Sequence, residues 1–181
     1  MNLFSLIILS YFNSFIGQLD YTNNSDFLLD SNMGVTSYVF MAVECPISQK
    51  YIYRLNELQQ LYPNLNVIGV FQESTSQLAL DDFKQRFEVK FSCVFDKQHQ
   101  LAFRYHAEVT PEVFLVDSLD RIIYSGAIDN WFVSLGRNRG APSQHYLLDA
   151  YQSFLKGIPV QKFRTKAIGC FLEINPTHHH G

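Results

Sequence analysis

Short β-rich runs alternate with longer segments of helical period between residues 36 and 157, and that alternation restricts the chain to folds with crossover connections. Thr36 to Val43 is a nearly continuous apolar run of the kind that suits a strand covered on both faces. From Pro46 to Leu61, the residues Ile47, Tyr51, Leu55, Leu58 and Leu61 recur at spacings of three and four, which predicts a helix that Pro63 soon ends. Asn66 to Phe71 reads as a second strand, Ser76 to Phe87 as a second helix, and Phe91 to Phe95 as a third, shorter strand. A helical piece follows around Gln98 to Tyr105. Pro111 to Val116 and Arg121 to Gly126, joined by the polar turn Asp117–Asp120, then predict a hairpin. Ala141 to Lys156 is expected as the closing helix, with Gly157 as its stop. Parallel strands from the crossovers and an antiparallel edge from the hairpin together predict an α/β fold with a mixed central sheet flanked by helices.

One domain accounts for the length: 181 residues, 47% of them hydrophobic, can build a sizeable core. The formal charge of −3 and the absence of a Lys/Arg block disfavour a nucleic-acid partner, because phosphate binding is driven by clustered cations. Residues 1–17, MNLFSLIILSYFNSFIG, form an apolar stretch of signal-peptide length and read as an export signal, with a buried first element or a retained anchor as the other readings. The expected organisation is a signal over residues 1–17, a domain over residues 18–170 and a flexible tail over residues 171–181. The mature chain would then sit in a periplasmic or other extracytoplasmic compartment, with no stable membrane insertion once the signal is removed. His178, His179 and His180 in that tail lack the fixed geometry a metal site requires, so no metal and no cofactor is expected.

Three cysteines occur, Cys45, Cys93 and Cys170, enough for one redox pair and a spare. Cys45 lies between the first strand and Pro46, at or beside the N-cap of the first long helix. Unpaired backbone N–H groups and the helix dipole favour a thiolate there, which makes Cys45 the best nucleophile candidate. Pro46 fits the first helical turn, where a missing N–H costs little. Glu44 would oppose the shift if its carboxylate approached the sulfur. Cys93 sits in an apolar strand pattern and is expected to pack as a small hydrophobe. Asp129, Asn130 and Trp131 read as an exposed loop able to shape a client groove, with Trp131 equally suited to packing.

The chain resembles the thioredoxin-like redoxins. Cys45-Pro46-Ile47-Ser48 is similar to their C-x-x-C motif with serine in the second position, and Val109-Thr110-Pro111-Glu112-Val113-Phe114 is similar to their cis-proline loop. The resemblance spans roughly Gly34 to Gly157 and implies a thioredoxin-like fold in which the proline loop lies beside Cys45. It also implies that Pro46, Thr110 and Pro111 contact substrate, with the Thr110 backbone free to hydrogen-bond an extended peptide. A narrower likeness, carried by Thr110-Pro111-Glu112-Val113-Phe114, by Tyr124-Ser125-Gly126-Ala127-Ile128-Asp129 and by Gly169-Cys170, is to exported bacterial proteins described as alkyl hydroperoxide reductase or thiol-disulfide isomerase-like. That likeness supports Cys170 as a functional position.

The resemblance implies a thiol-disulfide oxidoreductase acting on protein or small-molecule thiols and disulfides. Ser48 can donate a hydrogen bond to a Cys45 thiolate but is a poor nucleophile, so turnover requires glutathione, a partner thiol or Cys170 as resolving group. Two other readings stand beside it. Peroxide reduction meets the obstacle that Met41-Ala42-Val43-Glu44 lacks the Pro and Thr or Ser that peroxiredoxins place ahead of their cysteine. A non-catalytic client-binding module would use the same loop and sheet edge without turnover.

Overall fold

The computed structural model describes residues 34–174; the expected export signal and the three terminal histidines lie outside the described residues. Strand β1 (Val35–Met41) leads into helix α1 (Pro46–Leu61), followed by β2 (Leu65–Gln72), α2 (Gln77–Arg86) and β3 (Ser92–Asp96). A short 3₁₀ turn (Lys97–His99) and α3 (Gln100–Tyr105) connect to β4 (Val109–Thr110), β5 (Glu112–Val116) and β6 (Ile122–Gly126). The small hairpin β7 (Phe132–Ser134) and β8 (Arg137–Asn138), helix α4 (Tyr146–Leu155) and β9 (Cys170–Phe171) complete the order.

The main sheet has the order β3-β2-β1-β5-β6. β1 and β2 pair in parallel, as do β2 and β3, whereas β5 runs antiparallel to both β1 and β6. Side-chain alternation assigns the two faces. Val39, Met41, Val67, Phe71, Val113 and Leu115 point to the face covered by α1, α2 and α4. Their neighbours Phe40, Val70, Phe114 and Val116 point to the other face, where Ala102 and Tyr105 of α3 close a second cluster. This is the expected α/β arrangement, a mixed sheet between helices.

Three local expectations change. The closing helix begins at Tyr146, five residues later than the periodicity suggested. Pro142 and the side chain of Asn130 account for the delay: Asn130 Oδ1 accepts hydrogen bonds from Ser143 N–H at 2.9 Å and Gln144 N–H at 3.1 Å, holding those amides in a loop. Asp129 is not in an exposed loop but is 4% exposed, because Tyr51 of α1 donates to it. The C-terminal segment keeps its place past the expected tail boundary: Phe171 is in β9, Leu172 and Ile174 pack on the α3-side cluster, and Gln72 Nε2 donates to the Glu173 carbonyl at 2.6 Å.

Candidate active site

Cys45 is the N-cap of α1, with φ −75° and ψ 113°, and Pro46 follows inside the first turn. Its N–H donates to the Ala42 carbonyl at 3.1 Å, and its own carbonyl accepts from Gln49 N–H at 3.0 Å. Ser48, fully buried one turn into the helix, accepts from Ala42 N–H at 3.4 Å and so ties the strand end to the helix start. These bonds fix the Cys45 side chain where α1 presents its free N–H groups. Glu44 and Pro46, on either side, are exposed.

Across the loop, the Thr110–Pro111 peptide is cis, and the Thr110 carbonyl lies 3.1 Å from Cys45 Sγ, positioned to accept from the protonated thiol. The carboxylate of Glu112, one residue beyond Pro111, accepts from Glu108 N–H at 2.8 Å and Val109 N–H at 3.3 Å and holds the approach to β4. Burial raises the Glu112 carboxyl against those two amide bonds.

The Thr110 backbone is not free, contrary to the resemblance-based expectation. β9 pairs antiparallel with β4, Thr110 opposite Cys170 and Val109 opposite Phe171. Leu172 N–H donates to the Glu108 carbonyl at 2.9 Å. The fit is close: a Cβ on residue 169 would fall 2.0 Å from the Thr110 oxygen, so only glycine passes there. Residue 170 thereby comes over α1, and its thiol lies 2.9 Å from Cys45 Sγ, donating to it.

The two sulfurs differ electrostatically. Burial opposes ionisation of Cys45, yet hydrogen bonds from the Cys170 thiol, from the Ser48 and Cys170 amides and from the Ser48 hydroxyl outweigh it and hold the thiol below its ordinary range. Burial and the neighbouring Cys45 push Cys170 up to about 11. Of the two sulfurs, Cys45 is therefore the more easily ionised. Cys93 lies apart on β3, partly buried against the core and pushed up to about 11 by burial, with Lys84 opposing.

Of the sequence-derived candidates, Cys45, Pro46, Ser48, Thr110, Pro111 and Cys170 all gather in this one region. Tyr51 and Asp129 extend it and were not singled out as a pair. The Tyr51 hydroxyl donates to Asp129 Oδ1 at 2.6 Å, Arg54 lies 3.5 Å from Oδ2, and Trp131 N–H donates to Oδ1 at 2.8 Å. The Arg54 guanidinium also stacks over the Trp131 ring at 5.1 Å. Burial, the Asp129 bond and its charge all raise Tyr51, so it stays a neutral donor. Tyr51, Asp129 and Phe132 line a small cavity that Pro111 and Ile168 also border. Tyr51 and Asp129 stand 78 residues apart, and no sequence spacing could join them.

A profile of the AhpC/TSA family matches residues 22–125. Among solved structures, a hypothetical protein from Sinorhizobium meliloti is similar at a TM-score of 0.63 and 21% identity, covering 80% of this chain and 82% of its own. An uncharacterized conserved protein from Geobacillus kaustophilus is similar at a TM-score of 0.66 and 19% identity, covering 83% and 82%. A thioredoxin-like protein in its oxidised form is similar at a TM-score of 0.52 and 14% identity, covering 70% and 80%. These likenesses show the fold, which is thioredoxin-like. No significant match is found among curated proteins.

Proposed function

Because the chain belongs to the AhpC/TSA family, we propose that it is a thiol-disulfide oxidoreductase whose working pair is Cys45 and Cys170. The observation that supports this most is the 2.9 Å separation of the two sulfurs, reached across the pairing of Thr110 with Cys170. A disulfide needs a sulfur separation of about 2.05 Å, so closing the bond requires a movement of under about 1 Å.

The step begins with the Cys45 thiolate attacking one sulfur of a substrate disulfide, RSSR′. A Cys45–SR bond forms and R′S⁻ leaves. Cys170 passes its proton to the departed R′S⁻ and attacks Cys45 Sγ, forming the Cys45–Cys170 disulfide and releasing RS⁻. The substrate is reduced by two electrons and the protein oxidised by two. Ser48 stabilises the attacking thiolate through its amide and hydroxyl, and it has no covalent part. Substrate contacts are assigned to Pro46, Thr110 and Pro111, which stand around the Cys45 sulfur. The substrates are protein or small-molecule disulfides, and the apolar residues 1–17 support an extracytoplasmic setting in which such a pair can stay oxidised. Among the described residues, no helix is long and apolar enough to cross a membrane.

A second reading, hydroperoxide reduction, is favoured by the enclosure of Cys45, which is 2% exposed and admits a small oxidant most readily. There Cys45 would take the terminal oxygen as a sulfenic acid and release an alcohol. Cys170 would then close the disulfide and release water. The absence of a hydroxyl residue in Met41–Glu44 argues for slow reaction.

Cys45→Ala tests the catalytic assignment. Exchange with a small aromatic disulfide should fall by roughly a hundredfold or more, as expected for loss of an activated nucleophile, while the far-UV spectrum stays unchanged. Unchanged exchange rates would contradict it.

A further inference from the structure

Residues 130–170 hold six Lys and Arg and a single carboxylate, Asp149, in a chain whose formal charge is −3. The first part of that segment forms the hairpin of β7 and β8, which sets Arg137 opposite Ser134 with Leu135 and Gly136 at the turn. Further cations converge on the hairpin from two other elements. From α1, Lys50 Nζ lies 5.6 Å from the centre of the Phe132 ring, one turn before the Arg54 that lies over Trp131. From the segment ahead of β9, Lys162 Nζ donates to Gln144 Oε1 at 3.3 Å, and Gln144 is bonded in turn to Asn130. Arg139 closes the group: its Nε donates to the Asn130 carbonyl at 3.0 Å, and its own carbonyl accepts from Trp131 Nε1 at 2.8 Å. Beyond Lys162 the chain becomes a strap along the edge of β6, where Ser125 N–H donates to the Phe163 carbonyl at 2.9 Å, and it continues into β9 beside Cys45.

The protein does not neutralise these charges itself. Arg54 faces Asp129, but among the described residues no carboxylate pairs with Lys50, Arg137, Arg139 or Lys162. Clustered like charges repel unless an anion shares the surface, whereas a surface kept for solubility alone intersperses both signs. Between the cations, Val133 and Leu135 are exposed, Leu135 by 62%. An occupant must therefore bring carboxylates and apolar side chains together, as a polypeptide does. A nucleic acid fits less well, because base stacking needs an open aromatic face. Here Arg54 lies over the face of Trp131, and Phe132 is buried beneath Lys50.

We propose that the β7–β8 hairpin and the adjoining face of α1 form a docking surface for an acidic polypeptide segment of a partner protein. Carboxylates of the partner would meet Lys50, Arg137, Arg139 and Lys162, and its apolar side chains would meet Val133 and Leu135. The surface borders the candidate active site, since Phe132 lines the same small cavity as Pro111 and Ile168. Docking uses no thiol and needs no entry to the enclosed Cys45, so it stands independently of the redox pair.

The test uses the full chain and a labelled, cysteine-free peptide of alternating Glu and Leu, with a peptide carrying Gln in place of Glu as the neutral control. Binding is read from the anisotropy of the label and from the emission of Trp131, the chain's one tryptophan. The Glu peptide should bind and alter that emission, and its Kd should rise by about tenfold or more between about 0.05 M and about 0.5 M salt as screening sets in. Lys50→Glu combined with Arg137→Glu should raise Kd by about tenfold or more at low salt. Lys90→Glu combined with Lys97→Glu makes the same change of charge at the opposite sheet edge, beside β3, and should raise it by less than about twofold. Equal weakening by both pairs, a Gln peptide that binds as tightly as the Glu peptide, or no binding of either, would overturn the proposal. A single-stranded RNA that binds more tightly than the Glu peptide and displaces it would overturn it as well. The salt and Gln arms use the unaltered chain, so they decide the matter even where a charge reversal impairs folding.

Discussion

Thr110 and Cys170 face each other across a two-residue antiparallel ladder, and that pairing carries the Cys170 sulfur to Cys45. In the function proposed above, Cys170, 125 residues away in the sequence, takes the place of a second cysteine in Cys45-Pro46-Ile47-Ser48. Its approach depends on backbone geometry at Gly169 more than on any side chain.

Gly169→Ala should separate the strap from β4. A methyl group cannot occupy a point 2.0 Å from a carbonyl oxygen, so β9 must shift, at a cost of about 1–3 kcal/mol typical of overpacking. Cys45 should then react faster with a bulky maleimide than it does in the parent chain. An unaltered rate together with unaltered stability would show that the close approach does not hold β9 in place.

The pH dependence of alkylation should distinguish the two sulfurs. Cys45 is held below the ordinary thiol range, so its rate should level off at a lower pH than that of an unperturbed thiol. Cys170, pushed up to about 11, should still be accelerating there. In Cys170→Ser, Cys45 loses the thiol that donates to it, and its inflection should move unless the serine hydroxyl substitutes fully. Linkage gives the matching stability signs. The contribution of ionised Cys45 is present above its unfolded value and fades as pH falls through its folded value, whereas that of protonated Cys170 is lost as pH rises toward about 11.

Asp129→Ala should be structural in effect. It leaves the Tyr51 hydroxyl and the Trp131 amide without their acceptor and Arg54 without its partner, a loss of about 1–3 kcal/mol by the usual cost of a buried unsatisfied donor. Urea unfolding should show a lower midpoint with an unchanged slope. A midpoint equal to that of the parent chain would mean the network contributes nothing to stability.

Long, strongly patterned elements were legible in the sequence. α1 runs from Pro46 to Leu61 as the apolar spacing and the flanking prolines predict, and the hairpin of β5 and β6 follows its turn residues. Cys45 at the N-cap was readable for the same reason, since a strand, a cysteine and a proline fix the register of the helix start. The β4–β9 ladder was not, because two-residue strands carry no periodicity and their pairing is decided by tertiary packing. Without that ladder, Thr110 read as a free edge. The start of α4 was misplaced because helical spacing in residues 141–145 competes with the hydrogen bonds that Ser143 and Gln144 N–H donate to the Asn130 side chain, which hold those residues in a loop. Asp129 read as exposed because its partner, Tyr51, sits on the far side of the sequence.

The pairing of Cys45 with Cys170 is tested most directly by peptide mapping of the chain after mild oxidation, with free thiols capped before digestion. One intramolecular bridge joining Cys45 to Cys170 is predicted, with Cys93 recovered as the capped thiol. Recovery of Cys170 capped, while Cys45 is either capped as well or joined to an external group, would contradict it.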